Sequence, residues 1–284
     1  MNERCYVLTL SCPDRVGIVA AVGSLIASHH GWIVEASHHS APSNWFFMRH
    51  LVRADSLPFG VDEFRQRFAH IAGEFHMTWS IVDTAVRKRV VILVSKKDHC
   101  LADLLYRWRT NELAFDVPCI VSNHEDLRPL VEWHGIPYIH VPISSSNREA
   151  AFRHIDELCT SHGADVVVLA RFMQVVPQAM CEKYSGKIIN IHHSFLPSFV
   201  GSRPYHHAWE RGVKLIGATC HYVTAELDAG PIIEQDVVRV DHADSVEDMV
   251  RLGRDVEKAV LARGLQYHLE DRVLVHDHRT IVFT

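Results

Sequence analysis

The chain has no surplus of positive charge, no long apolar run, no paired cysteines and no low-complexity stretch. Each lack removes a class of function. Lys and Arg number 29 against 34 Asp and Glu, a formal net charge of -5, and no block of like charges interrupts the mixture. A nucleic-acid surface needs a basic face, so nucleic acid is not an expected partner. No apolar run approaches the roughly 20 residues that span a bilayer, so a membrane is not expected either. The opening MNERCYVLTLSCPDR carries charges too early, and too little apolar length, to read as a signal peptide. The seven cysteines are scattered without a C-x-x-C pair, which argues against a disulfide framework or a cysteine zinc site. A reducing, cytoplasmic setting is the expectation. Histidine is plentiful, with 22 residues and several adjacent pairs, yet no H-E-x-x-H or similar ligand spacing occurs. No metal site is expected on that pattern.

What is present falls into two patterns, and 284 residues are enough for two domains of ordinary size. Arg4 to Ser11 alternates like a strand and is broken by Cys12-Pro-Asp-Arg-Val-Gly17. Asp14 is a candidate N-cap for a helix from Arg15 onward, with Val16, Val19, Val22 and Ile26 on its apolar face and Gly31 as its C-terminal cap. Two strand-like runs, Trp32 to Ala41 and Trp45 to Arg53, flank a Pro-Ser-Asn turn; an amphipathic helix, Val61 to Glu74, and a strand, Met77 to Val82, follow. The order βαββαβ predicts a ferredoxin-like unit over residues 1–82, with a polar linker over 83–89. From residue 90 to 284, short apolar strands alternate with helices, among them Arg89 to Ser95, Ala114 to Ser122, His124 to Trp133 and a long helix from Ser245 to His268. That alternation predicts an α/β domain with a doubly wound, mostly parallel sheet.

The chemistry concentrates between Lys187 and Pro231. Strand Lys187 to His192 ends in Asn190 and His192, two residues apart and therefore on one face. A second strand, Leu215 to Thr224, runs into Ala225-Glu-Leu-Asp228-Ala-Gly-Pro231. Amide, imidazole and carboxylate together are the parts required for acyl transfer to water or an amine. His221 lies on the strand leading to Asp228; orienting water, orienting a ligand and simple packing all remain open for it.

Two resemblances extend this reading. Leu8-Thr-Leu-Ser-Cys-Pro-Asp-Arg-Val-Gly-Ile-Val-Ala20 resembles the opening of an ACT domain. That implies an effector pocket at the first strand-to-helix turn, with Asp14, Arg15, Gly17 and Ile18 as candidate residues, a paired and hence homo-oligomeric arrangement, and glycine or methionine as candidate effectors. Asn190-Ile-His192, Ser194-Phe-Leu-Pro197, Gly201 and His221-Tyr-Val-Thr-Ala-Glu-Leu-Asp228-Ala-Gly-Pro231 resemble the folate-dependent formyltransferase superfamily. The resemblance implies catalytic roles for Asn190, His192 and Asp228. It implies a folate site formed by Arg171, Phe172, Met173, Gln174, Val176, Gly201, His221, Val223, Thr224 and Glu226.

The transformylases of that superfamily carry a glycine-rich turn after their first strand, whereas Ser95-Lys-Lys-Asp-His-Cys100 contains no glycine. An ACT module ahead of such a domain is similar to the formyltetrahydrofolate deformylases. It implies hydrolysis of 10-formyltetrahydrofolate, with the folate as substrate and no separate cofactor. The competing expectations are a transformylase acting on an amine, a non-catalytic folate or amino-acid sensor, and a metallohydrolase built on His192, His221 and Asp228.

Overall fold

The computed structural model describes residues 3–197 and 204–284. The chain forms two compact units. One runs to Arg87 and takes in Asp271–Leu274 and Ile281–Thr284; the other comprises Lys88–Glu270 and Val275–Thr280. Among the described residues no helix is long and apolar enough to cross a membrane.

The first unit contains β1 (Cys5–Pro13), α1 (Ile18–Ser28), β2 (Ile33–Ala41), β3 (Trp45–Arg53), α2 (Val61–Glu74) and β4 (Thr78–Asp83). Its sheet has the order β2-β3-β1-β4, with every pairing antiparallel, which is the expected ferredoxin-like arrangement. Alternate residues of β1 and β3, among them Leu8, Leu10, Phe46 and Met48, meet Ile18, Val22 and Ile26 of α1 and Phe64 and Phe68 of α2 in one core.

Both ends of α1 differ from expectation. Asp14 does not cap it; the N-cap is Gly17, at φ 101° and without a side-chain hydrogen bond. The chain needs a left-handed residue to leave the turn after β1, and glycine adopts that conformation without steric cost. The Asp14 amide instead donates to Asn44 O at 2.9 Å, tying this turn to the β2–β3 turn. At the other end His30, not Gly31, holds the positive φ. Gly31 is required for space, since a Cβ there would stand 2.6 Å from Ile26 Cγ2 and 2.8 Å from Leu57 Cδ2.

The second unit contains β5 (Val90–Val94), α3 (His99–Arg109), β6 (Ile120–Ser122), α4 (Arg128–Trp133), β7 (Tyr138–His140), α5 (Arg148–Ser161) and β8 (Val166–Ala170). It continues with α6 (Gln178–Lys183), β9 (Ile188–His192), α7 (Pro204–Glu210), β10 (Leu215–Tyr222), β11 (Ile232–Arg239) and α8 (Val246–Leu269). A two-stranded hairpin, β12 (Val273–His276) and β13 (Arg279–Val282), closes the chain. The large sheet has the order β11-β10-β9-β8-β5-β6-β7. Strands β5 to β9 pair in parallel, and β10 and β11 are added antiparallel.

β5 and β8 are buried at every position, as strands covered on both faces must be. β6 is shorter than expected because Pro118 has no N–H for a ladder bond, and α4 starts at Arg128 with Pro129 in its first turn. After β7 the chain returns to the other side of β5 to form β8. That reversal creates a crevice at the carboxyl ends of the strands, where doubly wound sheets bind ligands.

Candidate active site

A cavity of about 870 Å³ opens at that crevice. Three strand ends supply its functional side chains. β8 leads into Arg171 to Val176, β9 delivers Asn190 and His192, and β10 contributes His221 and the loop that carries Asp228. Across the β9–β10 ladder Asn190 is opposite His221 and His192 is opposite Thr219. Of the folate residues expected from sequence, Arg171, Phe172, Met173, Gln174, Val176, His221, Val223 and Thr224 line the cavity. Glu226 is exposed, and its carbonyl closes the turn by accepting from Thr224 Oγ1 at 3.0 Å. Gly201 lies outside the described residues.

The loop after β10 is shaped by its glycine. A Cβ at Gly230 would stand 1.8 Å from Tyr222 O, so only glycine lets the chain fold back onto β10. This return brings Asp228, at φ 55°, beneath His192. Aspartate tolerates left-handed backbone better than most residues.

Two imidazoles face Asp228, and their surroundings make them different. His192 Nδ1 lies 3.2 Å from Asp228 Oδ1, and His192 Nε2 has no hydrogen-bond partner among the described residues. The hydrogen bond from His192 is the main cause that holds the Asp228 carboxyl below its ordinary range, against the opposing effect of burial. His221 is fixed from the other side, with Nδ1 2.9 Å from Tyr222 O. A carbonyl only accepts, so Nδ1 carries the proton. Burial pushes the His221 pKa down, so the ring is neutral and Nε2 is an acceptor. That nitrogen lies 3.1 Å from Asn190 Nδ2. The contact therefore sets the Asn190 amide, with one N–H given to His221 and the other left over.

A second group of buried charges borders the same cavity. Glu257 projects from the inner face of α8 and is 1% exposed. Tyr205 donates its hydroxyl to Glu257 Oε1 at 2.7 Å, His99 Nε2 is 2.8 Å from Oε2, and Arg171 Nε is 3.4 Å from Oε2. His99, Cys100 and Glu257 place ligand atoms within 4.8 Å of one another. The donor set does not suit an ion well. A guanidinium already faces the carboxylate, and burial pushes the Cys100 thiol up, away from the thiolate a metal needs. Glu257 was not anticipated. The signal was present in the i, i+4 series Met249, Gly253, Glu257, Leu261, which puts a carboxylate on the apolar stripe of a long helix.

In the first unit the candidate effector residues sit at the turn before α1. Arg15 stacks over the Phe75 ring, 4.2 Å from its centroid, and donates to the Glu74 carbonyl. Gly17 is the left-handed N-cap, Asp14 is exposed, and Ile18 is buried in the core.

Comparison with known proteins agrees with this architecture. Residues 88–265 match the formyl transferase family. A formyltetrahydrofolate deformylase from Corynebacterium sp. (strain P-1) is 46% identical over 99% of both chains. The crystal structure of a formyltetrahydrofolate deformylase from Pseudomonas syringae pv. tomato is 63% identical and superimposes with a TM-score of 0.99, covering 100% of this chain and 96% of that one. A glycinamide ribonucleotide transformylase from Symbiobacterium toebii is 28% identical with a TM-score of 0.66, covering 70% of this chain and 95% of that one. The transformylase shares only part of the chain, whereas the deformylases match both units from end to end, and by that full-length relationship the chain belongs to the formyltetrahydrofolate deformylase family.

Proposed function

We propose that the chain hydrolyses 10-formyltetrahydrofolate to formate and tetrahydrofolate, with Asn190, His192 and Asp228 acting on the formyl group. The observation that supports this most is the His192–Asp228 pair at 3.2 Å, with Nε2 of the same ring unpartnered among the described residues, in a cavity that Asn190 also lines. Water attacks the formyl carbon, and negative charge grows on the formyl oxygen. The free N–H of Asn190 and a proton on His192 Nε2 stabilise that charge, and each such donor is worth roughly 10²–10³ in rate. The His192 ring then carries a proton on each nitrogen, and Asp228 balances its charge through Nδ1.

Oδ1 of Asp228 is engaged by His192 Nδ1 at 3.2 Å, while His221 Nε2, an acceptor 3.7 Å away, offers it no proton. Oδ2 is the oxygen available to take a proton from the attacking water and return it to N10 as the C–N bond breaks. His221 acts through Asn190 and is a positioning residue. The folate is the substrate, and these steps use only groups of the chain, so no further cofactor enters.

Residues 1–82 are read as an ACT regulatory domain, joined by 83–89 to a catalytic domain over 90–284. Glycine or methionine binding near Asp14, Arg15, Gly17 and Ile18, in a homo-oligomer, belongs to this reading. Formate release from 10-formyltetrahydrofolate, without an added amine, is the direct test. Absence of formate, or formylation of glycinamide ribonucleotide as the main reaction when it is supplied, would refute the hydrolytic reading. In the same assay glycine or methionine is expected to change the rate; no change in rate or assembly state removes both as effectors.

A further inference from the structure

Arg171 does not fit the backbone it occupies. It follows β8 directly, at the carboxyl edge of the sheet, and its φ is 63°. Glycine adopts that conformation freely, and aspartate or asparagine tolerates it, but a long side chain is strained there. The explanation has to lie in what the side chain does. It turns into the cavity, where it is 12% exposed and its Nε faces Glu257 Oε2 at 3.4 Å. Nε makes no hydrogen bond among the described residues.

Glu257 is held from three sides, and the helix that carries it is adapted to hold it. Gly253, one turn earlier on α8, leaves room for Tyr205; a Cβ there would lie 2.1 Å from the tyrosine hydroxyl. Tyr205 therefore lies across α8 and donates to Glu257. The wall made by Arg171, Glu257 and Tyr205 borders the reacting groups through His193. The His193 ring centroid is 5.2 Å from that of His192 and 6.3 Å from that of Tyr205.

Space beside the formyl carbon decides which nucleophile reaches it. The Symbiobacterium toebii protein, named a glycinamide ribonucleotide transformylase, has the same fold at a TM-score of 0.66, so the fold does not choose the acceptor. We propose that Arg171, clamped by Glu257 and backed by Tyr205, fills the volume an amine acceptor would need and so reserves the formyl group for water. This rests on the hydrolytic reading above and names the residues that set its acceptor specificity.

The two reactions differ only in the nucleophile. With water, the oxygen lone pair bonds to the formyl carbon and the C–N10 electron pair goes to N10. One water proton is transferred to N10, and the products are formic acid, which ionises, and tetrahydrofolate. With a primary amine, the nitrogen lone pair forms the new C–N bond and one amine proton goes to N10. The products are then the N-formyl amine and tetrahydrofolate. Neither reaction needs an oxidant or a reductant.

The test uses the full chain with 10-formyltetrahydrofolate, methylamine or glycinamide as the probe amine, and simultaneous measurement of formate, tetrahydrofolate and N-formyl amine. Arg171→Gly opens the wall and relaxes the backbone. Arg171→Gly with Glu257→Leu also removes the carboxylate that would lose its partner, and Arg171→Ala opens the same space if the pair proves unstable. A change of one group in a binding pocket shifts discrimination by roughly tenfold or more, so the share of product formylated on the amine should rise about tenfold over the parent, and more for methylamine than for glycinamide. A partition ratio is insensitive to a general loss of activity, which separates this role from a purely structural one. If folded variants keep an amine share within about twofold of the parent, or the parent formylates the amine as readily as they do, the proposal is overturned. If the parent releases no formate at all, the hydrolytic reading itself has failed.

Discussion

Asp228 stands in left-handed backbone at φ 55°, which asparagine also tolerates. Asp228→Asn therefore keeps the loop and removes only the charge and the proton acceptor. The new amide would present a donor or a neutral carbonyl to His192 in place of a carboxylate, and water would lose its base. Turnover should fall by about 10²-fold or more while KM changes little, because the folate contacts remain. Steady-state kinetics on 10-formyltetrahydrofolate checks this, and turnover within a few-fold of the parent would remove Asp228 from the mechanism. At this scale the sequence was informative about residue type and alternation, which was enough to put Asn190 and His192 on one face of β9. It left His221 open, because the use of each ring nitrogen depends on Tyr222 O and on the neighbouring strand. Arg171 was expected at the folate site, but its left-handed φ and its buried partner on α8 depend on tertiary packing and have no local signature.

Helix α8 shows how far an element can be read locally. Its start was legible: the Ser245 side chain accepts from the Asp248 amide and the Asp248 carboxylate accepts from the Ser245 amide, a capping box of short sequence range. Its interior was not, since Gly253 looks like a weak point in a helix until Tyr205 is placed against it. In an isolated helix Gly→Ala gains about 1 kcal/mol. At Gly253 the added Cβ would meet the Tyr205 hydroxyl at 2.1 Å and its ring at 2.3 Å, and overpacking of that kind costs about 1–3 kcal/mol. Gly253→Ala should therefore lower the urea midpoint, whereas Gly73→Ala in α2, with nothing within 4 Å of the added Cβ, should raise it. An increase at both positions would show that Tyr205 is free to move. The same contrast between local and distant causes explains α1. Gly17 was visible as a turn glycine, but the acceptor of the Asp14 amide, Asn44 O, sits on another turn.

Across the whole molecule, acid should act through buried and half-buried histidines that the fold keeps uncharged. His50 in the first unit and His193 in the second are both pushed down to about 4, and His268 in the second to about 3, with burial the leading cause for each. The unfolded chain takes up these protons near the ordinary value of 6.5, while the folded chain does not. Below that pH the unfolded state binds more protons, so stability falls as pH falls. The contribution is complete above pH 6.5 and declines below it, until it is gone below about 4 for His50 and His193 and below about 3 for His268.

His50 gives the cleanest measurement, being 3% exposed with an unpartnered Nδ1 among the described residues. Each pH unit below the unfolded value removes about 1.4 kcal/mol per histidine, so His50 alone accounts for about 2 kcal/mol between neutrality and pH 5. His50→Leu removes both the titration and the unpartnered nitrogen. The variant should match or exceed the parent at pH 7.5 and lose less stability on acidification to pH 5, by about that same 2 kcal/mol. Calorimetric melting at the two pH values measures the difference. Parallel pH dependence in parent and variant would mean that His50 takes up its proton in the folded protein as readily as in the unfolded one, and that acid sensitivity arises elsewhere.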